Sequence, residues 1–243
     1  MGTVFRLTLR QLASRRRLAI VVLLAAIPVG LTVLLNAFLA DEEDFTEQFV
    51  DNLVNGMLLG IILPIIVMTL ATSAFGNELE DRTLNMLVLK PVSRLAIVVP
   101  KLVGSIVIAV PVLVVSTAAV VLIALGDGGM RAVGAASAAL LVGVVTYAAI
   151  FTWAGLITKN ALAFALVYVF VWEALLVGFL PGLRYVSIRL YTVGVMHRLD
   201  ETTFEALGGV DALTLIEALA GAGIVSAAFF VLTVRRLRRM DVP

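Results

Sequence analysis

Apolar residues in this chain come in long blocks rather than in alternation. Six runs stand out: Leu18–Ala40, Leu53–Gly76, Leu102–Gly126, Ala132–Thr158, Asn160–Leu183 and Ala212–Val234. Each can cross a hydrocarbon core that takes about 20 helical residues. Only two acids, Glu173 and Glu217, interrupt them. Runs this long and uniform predict helices rather than barrel strands, since a helix satisfies its own backbone in lipid. The third helix is expected to begin ahead of its run, so that the spans fall at 18–40, 53–76, 98–126, 132–158, 160–183 and 212–234. Pro100 and Pro111 predict bends in the third.

The stretches between the runs are unequal. In residues 1–17, Phe5, Leu9, Leu12 and Ala13 share one side of a helical wheel, while Arg6, Arg10 and Arg17 gather on the other and Leu7 breaks the pattern. This predicts a helix lying in a membrane interface with its arginines toward anionic headgroups. The 184–211 connection contains an apolar stretch, Tyr185–Met196, too short to span, which predicts a re-entrant or interfacial element. An ordinary folded loop with Arg198 near Asp200 and Glu201 is the plainer alternative.

The one long charged connection on the other side is 77–101. Asn77 followed by Glu80 reads as a helix N-cap with a capping-box partner. Glu78 and Arg82 stand at i, i+4, and Leu79, Thr83, Met86, Leu87 and Lys90 would share a face before Pro91 stops the helix. A short amphipathic helix at a membrane exit suits the transmission of force to a soluble partner; a polar loop would carry the same composition.

Composition sharpens the class. With 61% hydrophobic and 14% charged residues and a mean hydropathy of +1.09, a soluble domain is excluded, because those average about 45–50% apolar. The expectation is a single all-α integral membrane domain over residues 1–243. The chain has no cysteine, hence neither a disulfide frame nor a thiolate site. The first run exceeds a signal-peptide core of about 7–15 residues and lacks a cleavage pattern, so it is expected to stay in the membrane.

Charge distribution gives orientation. Placing the N-terminus inside leaves only Arg131, Arg184, Arg189 and Arg198 outside, and the other fourteen of the 18 Lys and Arg inside. Six acids collect in the first outer loop (Asp41, Glu42, Glu43, Asp44, Glu47 and Asp51), and the even span count returns the arginine-rich C-terminus inside.

Catalytic chemistry is not legible. No P-loop pattern cradles a nucleotide. The one histidine, His197, has no zinc-like ligand set and reads as solvated. Glu173 lies near the middle of its span, where an ionisable group costs a few kcal/mol and faces a partner, cavity or pathway. It fits either a cation- or proton-binding role or a hydrogen bond at a helix contact. Glu217, nearer its span's outer end, fits the second. Ala218, Ala222 and Ser226 with Gly221 and Gly223, and Gly134 with Ala138, are spaced for close helix approach within the subunit or to a second one.

The segment Glu78-Leu79-Glu80-Asp81-Arg82-Thr83-Leu84, then Leu87 to Leu89, Lys90-Pro91-Val92-Ser93-Arg94 and Lys101, resembles the type-2 permease subunits of ATP-binding-cassette (ABC) exporters. Many members carry Gly-Thr-Leu where this chain has Arg82-Thr83-Leu84. The resemblance implies six spans with both termini cytoplasmic and an N-terminal connecting helix. It further implies a coupling helix at about 77–90 docked on a separate cytoplasmic ATPase, and a re-entrant element before the last span. The coupling residues it implies are Glu78, Glu80, Asp81, Arg82, Thr83, Leu84, Lys90, Pro91, Ser93 and Arg94. It also implies two ATPase copies carrying ATP and Mg, a second permease (homo- or heterodimer), no cofactor on this chain, no nucleic acid, and a prokaryotic plasma (inner) membrane. The expected function is export of a hydrophobic or amphipathic substrate (drug, lipid or peptide) or an ion by alternating access. A self-contained secondary transporter or channel coupled through Glu173 is the competing expectation, and a non-transporting scaffold a third.

Overall fold

The computed structural model describes residues 2–39, 52–80, 93–158, 160–176, 185–205 and 213–239. Among these every regular element is helical. Helix α1 is Gly2–Leu12 and α2 is Arg15–Leu39. Helix α3 is wound with wide π-type turns over Asn52–Ile62 and continues as α-helix over Leu63–Glu80. Helix α4 is Leu95–Leu125, running through both prolines, and α5 is Met130–Ile157. Helix α6 is α-helical over Ala161–Val167 and π-type over Tyr168–Leu176. Helix α7 is Ile188–Leu199 and α8 is Leu215–Arg238.

Among the described residues five helices, α2, α3, α4, α5 and α8, are long and apolar enough to cross a membrane. The expected fifth run, 160–183, is described only to residue 176, as the shorter apolar helix α6. The chain is a multi-pass membrane protein.

The bundle is built around α5. In its most apolar window 72% of residues are buried, against 22% for α2 and 11% for α8, so α5 is the hub and the other two lie at the periphery. Glycine sets the closest approaches to it. A Cβ on Gly155 would stand 2.5 Å from the Thr72 carbonyl oxygen of α3, and one on Gly143 would meet Thr192 of α7 at 2.8 Å and Leu63 at 2.9 Å. The expected contact glycine on this helix, Gly134, has open space around it. The reason is position: Gly134 lies in the first turns of α5, whereas α3 and α7 cross it further along.

On α8 the small-residue face does pack. Ala218 and Ala222 are buried, and Ser226 Oγ lies 3.3 Å from Thr146 Oγ1. A Cβ on Gly221 would meet the Tyr191 ring at 2.6 Å, so this face serves contacts within the subunit.

Peripheral α2 is tied to α4 by polar contacts, Ser116 Oγ donating to the Ala25 carbonyl at 2.6 Å and Asn36 Nδ2 to that of Ile123 at 3.2 Å. A donor in an apolar setting has no competing water, which favours such side-chain-to-backbone bonds between helices. Gly126, with φ of +61°, makes the tight turn from α4 into α5, a conformation suited to glycine.

Candidate functional site

Two polar regions stand at opposite ends of the bundle. The first is where α1, the last turns of α3 and the first turns of α4 meet. Beneath it Phe75, Ile97, Val98, Leu156, Val234 and Leu237 form a separate apolar cluster that gathers the ends of α3, α4, α5 and α8. The two stems of the charged connection, Glu80 and Ser93, therefore emerge at the same end as α1 and the arginines Arg235, Arg236 and Arg238 of α8.

Asn77 does not open a helix here: residues 77–80 are the last turn of α3. The capping-box reading fails because the span's own helix already supplies carbonyl partners to these N–H groups, so no new nucleus is needed. Glu78, whose expected i, i+4 partner Arg82 lies outside the described residues, turns to α4. Its Oε1 accepts from Lys101 Nζ at 2.7 Å. Lys101 is 1% exposed, also donates to the Ala74 carbonyl, and stands over the Phe75 ring, 4.6 Å from its centroid. Ser93 Oγ accepts from the Ala96 N–H at 3.3 Å in the turn leading into α4, beside Arg94. The side chain of Glu80, and Asp81, Arg82, Thr83, Leu84, Lys90 and Pro91 altogether, lie outside the described residues, as does the amphipathic face carrying Leu79, Met86 and Leu87.

Helix α1 follows its wheel only in part: Phe5 and Leu9 are half-buried, and Ala13, expected on the packed side, is exposed. Leu12 is fully buried, joined by Thr8 at 3% exposure, while Arg6 and Arg10 are exposed. It lies against α4 at Gly104, where a Cβ would come within 3.0 Å of Thr8 Cγ2.

The second region surrounds Glu173. The carboxylate is 6% exposed and fully engaged: Ser187 Oγ donates to Oε2 at 2.5 Å, the Ile188 N–H to Oε1 at 2.9 Å, and Tyr168 Oη to Oε1 at 3.4 Å. Ser187 is the N-cap of α7, its Oγ accepting from the Leu190 N–H at 3.3 Å. A carboxylate at a helix N-terminus meets both unpaired N–H groups and the positive end of the dipole. Glu173 thereby binds α6 to α7. An aromatic series leads to it, Tyr147 stacking on Phe151 at 5.5 Å, Tyr168 edge-on to Phe151 at 6.1 Å, and Trp172 stacked on Tyr168 at 6.5 Å.

Glu173, Tyr147 and Arg189 line a cavity of about 130 Å³ with Gly60, Ile61, Val169 and Phe170. Arg189 Nη2 donates to Asn55 Oδ1 at 3.2 Å, its guanidinium lying over Gly60. The π-type stretches of α3 and α6 both face this cavity. No set of three or more metal-capable side chains occurs among the described residues.

At 12 residues α7 is about 18 Å long, too short to span, and it packs on α5 and α8. His197 is buried at 8% exposure rather than solvated, with Nδ1 2.9 Å from the Phe204 carbonyl oxygen. The apolar stretch before it folds inward as α7, carrying the imidazole with it. Arg198 reaches Glu201 at 3.2 Å. Asp200 is 1% exposed; its Oδ1 accepts from Thr202 Oγ1 at 2.8 Å and the Thr203 N–H at 3.4 Å, and lies 3.7 Å from Arg131 Nε. Burial pushes this carboxyl up, but the Thr203 and Thr202 hydrogen bonds and the Arg131 charge outweigh it and hold it below the ordinary 3.8.

Glu217 is not a membrane-buried group but half of a capping box on α8. Thr214 Oγ1 accepts from the Glu217 N–H at 3.3 Å, and Glu217 Oε2 accepts from the Thr214 N–H at 2.9 Å. The Thr-x-x-Glu spacing was the signal for it. Lys101 and Ser187 carried weaker signals, since their partners come from elsewhere in the chain.

No curated protein matches the chain. The model of the ABC-2 family transporter proteins matches residues 13–185, well over half of the 243, from just after α1 to just before α7. The match covers the bundle's hub and the charged connection alike, and the chain belongs to the ABC-2 family of transporter proteins.

Proposed function

We propose that the chain is the transmembrane permease subunit of an ATP-driven ABC exporter, noncatalytic itself and powered by a separate cytoplasmic ATPase. The observation that carries this reading is the placement of the charged connection. Its stems, Glu80 and Ser93, rise from one end of the bundle, between α1 with its arginines and the arginine-rich end of α8. That end is the cytoplasmic one by the excess of Lys and Arg. Segment 81–92 then faces the cytoplasm as the surface on which an ATPase docks, through Glu80, Asp81, Arg82, Thr83, Leu84, Lys90 and Pro91, with ATP and Mg held by the partner.

Two permeases pair with two ATPase copies in the plasma membrane of a prokaryote. Poorly buried α2 and α8, with Phe38 79%, Ile216 80% and Ile224 70% exposed, offer apolar surface to lipid and to the second permease. The substrate is hydrophobic or amphipathic and passes between the two permeases by alternating access. Helix α7 is the re-entrant element of the outer side. Glu173, with its oxygens engaged by Ser187 and Ile188, holds that element in place and is not assigned an ion.

Reconstitution into proteoliposomes with and without a cytoplasmic ABC ATPase that co-purifies with it tests this. Transport requiring ATP and the ATPase, and indifferent to ion gradients, is the expected result. Transport by the permease alone, driven by a sodium or proton gradient and abolished by Glu173→Gln, would establish a secondary transporter instead.

A further inference from the structure

Lys101 is the one lysine of the described core whose surroundings are wholly internal, and an ammonium in such a place persists only when every donor is matched. All of its partners lie on a single stretch of α3: the Ala74 carbonyl, the Phe75 ring at 4.6 Å and Glu78 Oε1 at 2.7 Å. They belong to the last two described turns of that helix, Ala74 to Glu80. On α4, Lys101 stands two turns after Ser93 and one turn before Gly104, where α1 makes its closest approach through Thr8 and Leu12. One side chain thus sits where α1, α3 and α4 converge, directly behind the two stems of segment 81–92.

We propose that Lys101 is a positioning residue for energy coupling: it clamps the last turns of α3 to α4 and fixes the separation of the stems. A push on segment 81–92 then moves α3 and α4 as one body, and through the Gly104 contact carries α1 with them. Without the clamp the stems separate under load and the push is dissipated. The coupling part of this proposal rests on the reading that segment 81–92 docks an ATPase; the clamp itself does not.

Two measurements separate these. The chain has no cysteine, so nitroxides at Gly76→Cys and Ser93→Cys report the stem separation in the permease alone. Gly76 has open space around it. Spin–spin broadening is expected to be strong in the parent and in Lys101→Arg, and to weaken in Lys101→Met. Equal broadening in all three overturns the clamp. In proteoliposomes with the partner ATPase, Lys101→Met is expected to retain ATPase binding and basal hydrolysis while substrate moved per ATP falls about tenfold, with Lys101→Arg near the parent. An unchanged ratio in Lys101→Met overturns the coupling role. Failure of the parent permease to bind any ATPase would overturn the docking reading and with it the coupling role, leaving the clamp to the spin-label result. If Lys101→Met does not insert, Glu78→Ala carries the comparison: weakened broadening supports the clamp, and broadening equal to the parent overturns it.

Discussion

The two ends of this bundle differ in how much of their polar bonding is local. Around α7 and the start of α8, side chains satisfy helix termini close at hand: Ser187 caps α7, Thr214 and Glu217 cap each other's N–H groups, and Asp200 accepts from Thr202 and Thr203. Glu173 adds a bond from the neighbouring helix. At the other end the strong polar contact runs between helices, Lys101 to Glu78. A self-capped end is built to hold its shape. An end whose charges bridge helices ties those helices to one another, which is what the proposed coupling role requires.

Breaking the contacts that both ends share should have the largest effect. Gly155→Val drives a side chain into the Thr72 backbone, where a Cβ already falls at 2.5 Å. Because backbone cannot step aside as a side chain can, we expect about 3 kcal/mol of destabilisation or failure to assemble, read by thermal unfolding in detergent. Gly134→Val, in open space, should be near neutral and serves as its control.

Glu173→Ala comes next. It strands the Ser187 hydroxyl and the Ile188 N–H, both buried, at a cost of about 1–3 kcal/mol for each unsatisfied group. Proteolysis and hydrogen exchange should show the loss concentrated in α7, with the charged end unaffected. A uniform loss over the whole bundle would mean that the ends are not independent. Thr214→Ala removes one cap and should cost about 1 kcal/mol, visible as faster exchange in the first turn of α8.

The smallest effect is that of pH on the outer end. Asp200 sits below its ordinary value of 3.8 when folded, so it binds protons more readily when unfolded. Its contribution is complete above about pH 4 and is lost as pH falls through the folded value. Asp200→Asn should remove that acid-side loss of stability in an unfolding series.

What the sequence made legible follows from the range of the interactions. Spans are set by composition over about 20 residues, so α2, α3, α4, α5 and α8 could be anticipated within a few residues. The amphipathic α1 was equally local. His197 was misjudged because its burial depends on α7 folding inward. Asn77 was misjudged because its cap pattern competes with a helix that arrives from Leu63 and continues through it. Glu217 announced itself by spacing, but within a run of apolar residues it reads as a hydrogen bond at a helix contact rather than as a cap. Lys101 was visible only as one residue of a family motif, since its partners stand 23 and 27 positions away.

The central claim is that the segment between α3 and α4 couples this permease to an ATPase. It is tested most directly by transport-stimulated ATP hydrolysis in the reconstituted complex carrying Glu80→Ala/Arg82→Ala. We predict that stimulation is lost while the permease remains inserted and its outer end remains protected. Stimulation equal to that of the parent would contradict the account.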